Sequence, residues 1–181
     1  LGGFASGTIA GAVTRRYHGL LIAALAAPHG RTVMWNHVSE FLRFDDDDVV
    51  SLGAEERAGG QLDLGAADYL QEFRLENGLP VWTYYVRGVV FQKRVLMLHL
   101  QNTVHVIYRI LEAETRPRLE LRPAFYFRHY ECAVNEGLPA PYHLSAIEGQ
   151  YEVSAAQSEL PPLRMKLADD NAQFTVSPQS I

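Results

Sequence analysis

Residues 81–111 read VWTYYVRGVVFQKRVLMLHLQNTVHVIYRIL. Three runs stand out in them: Val81 to Val86, Val89 to Leu98 and Val104 to Leu111. Each is rich in β-branched and aromatic residues, which suit a pleated, half-buried surface. Gly88 separates the first pair of runs, and Gln101-Asn102 reads as a tight turn between the second pair. Three strands joined by such short loops predict an antiparallel meander.

The pattern extends in both directions. Leu119, Leu121, Phe125 and Phe127 alternate with Glu120, Arg122, Tyr126 and Arg128. That is a period of two, with one apolar face and one face of Tyr and Arg. Pro123 interrupts it and predicts an edge strand or a bulge. Val33 to Phe44 is a further strand. Leu20 to Ala27 lies between Gly19 and Pro28; its alanines favour helix, but the run is too short, so a buried strand is predicted. A weak strand is read at Gln173 to Val176. The expected fold is all-β, with antiparallel sheets stacked as a β-sandwich and little helix. Residues 1–181 are expected to form a single domain.

The composition fits. With 181 residues, 48% hydrophobic and 20% charged, the chain buries roughly 70% of its unfolded surface. The net charge of −5 argues against sequence-independent nucleic-acid binding, which needs cations to displace counterions. The longest apolar run, Leu20 to Ala27, has 8 residues, far short of the roughly 18–20 that span a bilayer. No nucleic-acid or membrane partner is therefore expected. A single cysteine, Cys132, excludes an internal disulfide and a cysteine-based zinc knuckle. It is compatible with a reducing compartment, and a cytoplasmic location is expected. The chain opens Leu1-Gly2-Gly3 without Met and is expected to be a piece of a longer protein.

Charge is segregated: residues 1–44 carry +3, 45–76 carry −8, 77–130 carry +5 and 131–181 carry −5. Asp45 to Asp48 reads as a solvated turn, because the spacing of a calcium loop is absent. Gly2, Gly3, Gly7 and Gly11 tempt a phosphate-loop reading, but no Lys-Ser/Thr follows them. The seven histidines are scattered, without a close ligand set, so no metal is expected. Glu72 and Glu76 sit in the acidic block and read as a solvated face rather than a catalytic pair.

Thr14-Arg15-Arg16-Tyr17-His18-Gly19 concentrates polar chemistry between two apolar segments. On one reading its arginines pair with carboxylates such as Glu40, and Tyr17 packs on the core. On the other it is a ligand site, with Arg and His donating to hydroxyls and Tyr offering an apolar face to a sugar ring. Trp82 and Tyr84 share one strand face, as do Tyr126, Arg128 and Tyr130. Either stripe is a packing surface or a platform for sugar.

The stretch from Leu1 to Leu25, centred on TRRYHGLL, resembles the start of bacterial and archaeal glycogen debranching enzymes of the amylo-α-1,6-glucosidase type. The resemblance continues through Gly30-Arg31-Thr32-Val33 and the Glu40 region. It returns at Pro80-Val81-Trp82-Thr83-Tyr84, Lys93-Arg94-Val95-Leu96-Met97 and Gln101-Asn102-Thr103, and ends near Leu121-Arg122-Pro123 and Arg128. It implies a large, supersandwich-like amino-terminal β-sandwich. A carboxy-terminal α/α toroid would follow and carry the catalytic carboxylates that hydrolyse α-1,6 branch points. No catalytic residue is then expected in this chain, and no cofactor. The implied partners are glycogen or another branched α-glucan and the toroid of the same chain. Arg15, Arg16, Tyr17, His18, Trp82, Arg128 and Tyr130 are the expected substrate-binding or domain-interface residues. Where the family pattern runs Arg-Asp-Tyr-His, this chain has Arg128-His129-Tyr130-Glu131. The alternatives are a free-standing carbohydrate-binding module and a purely structural interaction domain.

Overall fold

The computed structural model describes residues 2–45, 47–57, 61–134, 141–156, 158–169 and 171–177. In chain order the strands are β1 Phe4–Ser6, β2 Gly19–Ala24, β3 Arg31–Arg43, β4 Val49–Ser51, β5 Glu55–Arg57, β6 Gln61–Asp63, β7 Leu70–Glu76, β8 Leu79–Val86, β9 Val89–Met97, β10 Val104–Ala113, β11 Arg118–His129, β12 Tyr142–Ile147, β13 Gln150–Ala155 and β14 Leu163–Lys166. One 3₁₀ turn, Gly65–Asp68, is the only helical element among the described residues. The chain divides into two compact units, Leu1–Glu136 and Gly137–Ile181.

The first unit holds two main antiparallel sheets. One has the order β1-β2-β3-β11, with β4 also paired to β3; the other has the order β10-β9-β8-β7. The second is the meander expected from residues 81–111, with β7 added. Its hairpins turn on Asn77-Gly78 and Arg87-Gly88, where both residues of each pair have positive φ. That geometry matches the right-handed twist of the flanking strands, and glycine adopts it without steric cost. The sheets face each other across a core of Leu42, Val50 and Leu52 on one side and Tyr84, Val86, Val89 and Phe91 on the other. The all-β, face-to-face architecture is thus as the patterning predicts.

Pro123 lies on β11, which pairs with β3 and ends its sheet, and the register shifts beyond Ala124. Pro is compatible with such an edge position. The same shifts break the alternation read in this stretch: Phe127 and Arg128 are both buried. Asp45 and Asp48 close the turn between β3 and β4, where Phe44 N–H donates to the Asp48 carbonyl at 2.9 Å.

The second unit is a three-stranded antiparallel sheet, β12-β13-β14. The strand read at Gln173 to Val176 does not form. Phe174 is instead stacked on Tyr151, with ring centroids 4.2 Å apart. An aromatic contact, rather than ladder pairing, accounts for the apolar residue there.

Candidate functional site

Residues 14–18 fold back on themselves. His18 N–H donates to the Arg15 carbonyl at 3.0 Å, and Thr14 N–H donates to His18 Nδ1 at 3.2 Å. With Nδ1 accepting, the ring proton belongs on Nε2, and the imidazole also hydrogen-bonds the Ala12 backbone. His18 is buried. That burial lowers its pKa below the ordinary histidine value, outweighing the Ala12 hydrogen bond, which acts the other way. His18 is therefore a neutral peg beneath the loop.

Arg15, Arg16 and Tyr17 stand outside this peg and are exposed. Tyr17 meets His18 edge-on at 5.6 Å. Among the described residues, the Arg15 side chain reaches only the adjacent Thr14 carbonyl, at 3.5 Å. Arg16 reaches the Glu131 carbonyl at 3.3 Å.

Arg128 explains why that distant carbonyl is near. It sits at the end of β11 and is 7% exposed. Its Nη1 donates to the carbonyls of His129, Tyr130 and Cys132 at 3.3, 3.4 and 3.1 Å. Its Nη2 donates to the Arg16 carbonyl at 2.5 Å. The guanidinium also lies over the Tyr126 ring at 5.4 Å. Five planar donors let one arginine gather several carbonyls, so Arg128 binds the loop to the turn after β11. Tyr130 completes the cluster. Its ring meets Phe4 edge-on at 6.5 Å, and its hydroxyl donates to Glu131 Oε1 at 3.2 Å. His129 Nδ1 accepts from Glu131 N–H at 3.4 Å. The two positions that depart from the family pattern are thus bonded into the same turn.

Trp82 belongs elsewhere. With His18 it lines a cleft of about 210 Å³ bounded by residues 5–13, 18–20, 36–40 and 52–54. Trp82 Nε1–H donates to the Ile9 carbonyl at 2.8 Å, which ties the amino-terminal segment over the sheet. Arg15, Arg16, Tyr17, Arg128 and Tyr130 do not line this cleft.

The cleft also holds Glu40, the carboxylate that one reading of the sequence pairs with the loop arginines. Glu40 is 3% exposed. It accepts from the Tyr108 hydroxyl at 2.7 Å and pairs with Lys93 Nζ at 2.5 Å, not with the loop arginines. Lys93 lies over the Trp82 ring at 5.6 Å. Burial, with the nearby Glu40 charge, pushes the phenol pKa values of Tyr84 and Tyr108 well up, so both are neutral, and Tyr108 donates to Glu40. A signal was present: Lys93 is one of only two lysines against 14 arginines. It occupies the same face as Trp82, its cross-strand partner. A lysine there needs a buried carboxylate, and Glu40 interrupts the apolar run of β3.

Glu72 is exposed and ion-paired to Arg74, which is the solvated face expected of it. No group of three or more His, Cys, Asp or Glu among the described residues could hold a metal ion.

The sequence model of the family described as glycogen debranching enzyme, N terminal, matches residues 1–180. No curated protein and no solved structure matches the chain.

Proposed function

This chain belongs to the glycogen debranching enzyme N-terminal family, and we propose that it shapes the glucan cleft and braces the catalytic domain of such an enzyme. On this reading the parent protein is cytoplasmic and hydrolyses α-1,6-linked glucose at branch points. The acid and base of that hydrolysis lie on a following α/α toroid, and the partners of this chain are branched α-glucan and that toroid.

The observation that carries the reading is the loop at Arg15 to Tyr17. It exposes two guanidinium groups and a phenol, while buried His18 and Arg128 hold its backbone from beneath. Groups held this way meet a ligand or a neighbouring domain at low ordering cost. Guanidinium donors suit sugar hydroxyls, and a phenol ring suits the apolar face of a pyranose. The carboxylates support the same division of labour. Hydrolysis by the usual route needs two carboxyl groups roughly 5–9.5 Å apart across the bond. Of the two carboxylates weighed for that role, Glu40 is ion-paired with Lys93 and bonded by Tyr108, and Glu72 is ion-paired with Arg74.

The test uses the 181-residue chain and a branched dextrin. The expected result is retention on an immobilised α-glucan with no release of glucose. Glucose release that disappears in Glu40→Gln or Glu72→Gln would place the catalytic machinery in this chain and overturn the reading.

A further inference from the structure

The cleft lined by residues 5–13 shares only His18 with the loop at residues 14–18, and its lining is unusual for a packing defect. Its walls are aromatic and aliphatic, with Trp82, Phe73 and Ile9 among them, yet its floor holds the buried Glu40–Lys93 pair. Asn36 also lines it, and the Asn36 Oδ1 atom is buried without a hydrogen-bond partner among the described residues. A buried amide oxygen left unpaired costs about 1–3 kcal/mol, so its persistence needs a reason. A hydroxyl arriving in the cleft would supply one. A hydroxyl both donates and accepts, so it satisfies the amide in either of its two orientations.

From these features we propose that the cleft is a subsite for one pyranose ring of an α-glucan. The inference rests on the glucan reading above and adds the site and its residues. The Asn36 amide turns about its last side-chain bond to meet a ring hydroxyl, the Glu40–Lys93 pair offers one acceptor and one donor, and Trp82 with Phe73 meets the apolar edge of the sugar. A cleft of about 210 Å³ is large enough to hold a single ring. A charged ligand does not suit the site, because Lys93 and Glu40 already neutralise each other at 2.5 Å. The ligand class is therefore a neutral, hydroxylated ring.

Maltose is the probe, and the fluorescence of Trp82 is the readout, taken in a Trp35→Phe background so that one tryptophan reports. The expected result is a saturable change with maltose and none with cyclohexanol, which has the ring but lacks the array of hydroxyls. Asn36→Ala should weaken maltose at least about tenfold, the loss for one well-placed hydrogen bond. Gly7→Leu gives a second route that spares the polar network. Gly7 lines the cleft, and a Cβ there meets nothing within 4 Å, so the fold tolerates the change while the added side chain competes with the sugar. Leu75→Ser, at an exposed position outside the cleft lining, should leave this maltose response unchanged. Maltose binding that survives both Asn36→Ala and Gly7→Leu but falls with Arg15→Ala would overturn the subsite and leave the glucan reading standing. Absence of any maltose response in a chain still retained on immobilised glucan would also overturn the subsite alone. Equal responses to maltose and cyclohexanol would overturn it by showing an unspecific apolar hollow.

Discussion

The Arg128 guanidinium donates to the main-chain carbonyl of Arg16, joining residues 112 positions apart in the sequence. The same side chain takes up three more carbonyls, of His129, Tyr130 and Cys132. Replacing it with Ala leaves four part-buried carbonyls without this donor, and an acceptor costs about 1–3 kcal/mol only where water cannot enter. Arg128→Ala should therefore lower the unfolding free energy by roughly 3 kcal/mol, read from the urea midpoint. Arg128→Lys should recover little, because an ammonium lacks the fork that spans four carbonyls. A wild-type midpoint for Arg128→Ala would show that the turn after β11 holds itself.

His18 makes the loop sensitive to acid. Its folded-state pKa lies below the ordinary value of 6.5 because burial disfavours the imidazolium, and Nδ1 must stay unprotonated to accept from Thr14. For a depressed pKa the unfolded chain binds protons more readily than the folded one. The stability contribution is present above about pH 6.5 and is lost as pH falls through the lowered value. Urea midpoints at about pH 7.5 and about pH 5 should differ, with the acid sample less stable. His18→Gln should shrink that difference. A pH dependence untouched by the substitution would assign it to carboxylates instead.

The Glu40–Lys93 pair separates a broken ion pair from a removed one. Lys93→Met strands a carboxylate that is 3% exposed, and such a loss commonly costs about 3–5 kcal/mol. Combining it with Glu40→Gln removes the charge, and the amide still accepts from the Tyr108 hydroxyl. The double variant should regain most of the stability lost by Lys93→Met alone, as read from paired denaturation curves. Additive losses would mean that the two residues act independently.

The fold was readable because its strands announce themselves locally. The runs in β8, β9 and β10, with the turn at Gly88, needed only side-chain type and spacing. β7 was missed although Asn77-Gly78 marks its hairpin with β8, because Glu72, Arg74 and Glu76 disguise that strand as a charged face. The site was less readable, since the decisive contacts are long-range. The alternation places Arg128 on a polar face with Tyr126, and the register shift in β11 turns it inward. Likewise the pairing of Glu40 with Lys93 spans two sheets that no local pattern aligns. The cluster of Arg15 to His18 with Arg128 and Tyr130 depends on the β3–β11 ladder, which carries residue 128 beside Val33.

Arg15 is the residue on which activity and stability should come apart. It is exposed, and among the described residues its side chain reaches only its neighbour's carbonyl at 3.5 Å. Substitutions at such surface positions usually stay within about 0.5 kcal/mol. Arg16 differs, since its side chain reaches across to Glu131 at 3.3 Å. In a parent enzyme of the kind proposed above, Arg15→Ala should lower turnover of branched glucan while the melting temperature of this domain stays nearly constant. Arg16→Ala should also lower stability slightly, by under about 1 kcal/mol, because an exposed contact is partly replaced by water. The experiment pairs an assay on branched dextrin with thermal denaturation of each variant. If Arg15→Ala leaves turnover intact, the exposed loop takes no part in meeting substrate or the catalytic domain. If it unfolds the domain, the loop is a structural element and the proposed role fails for a different reason.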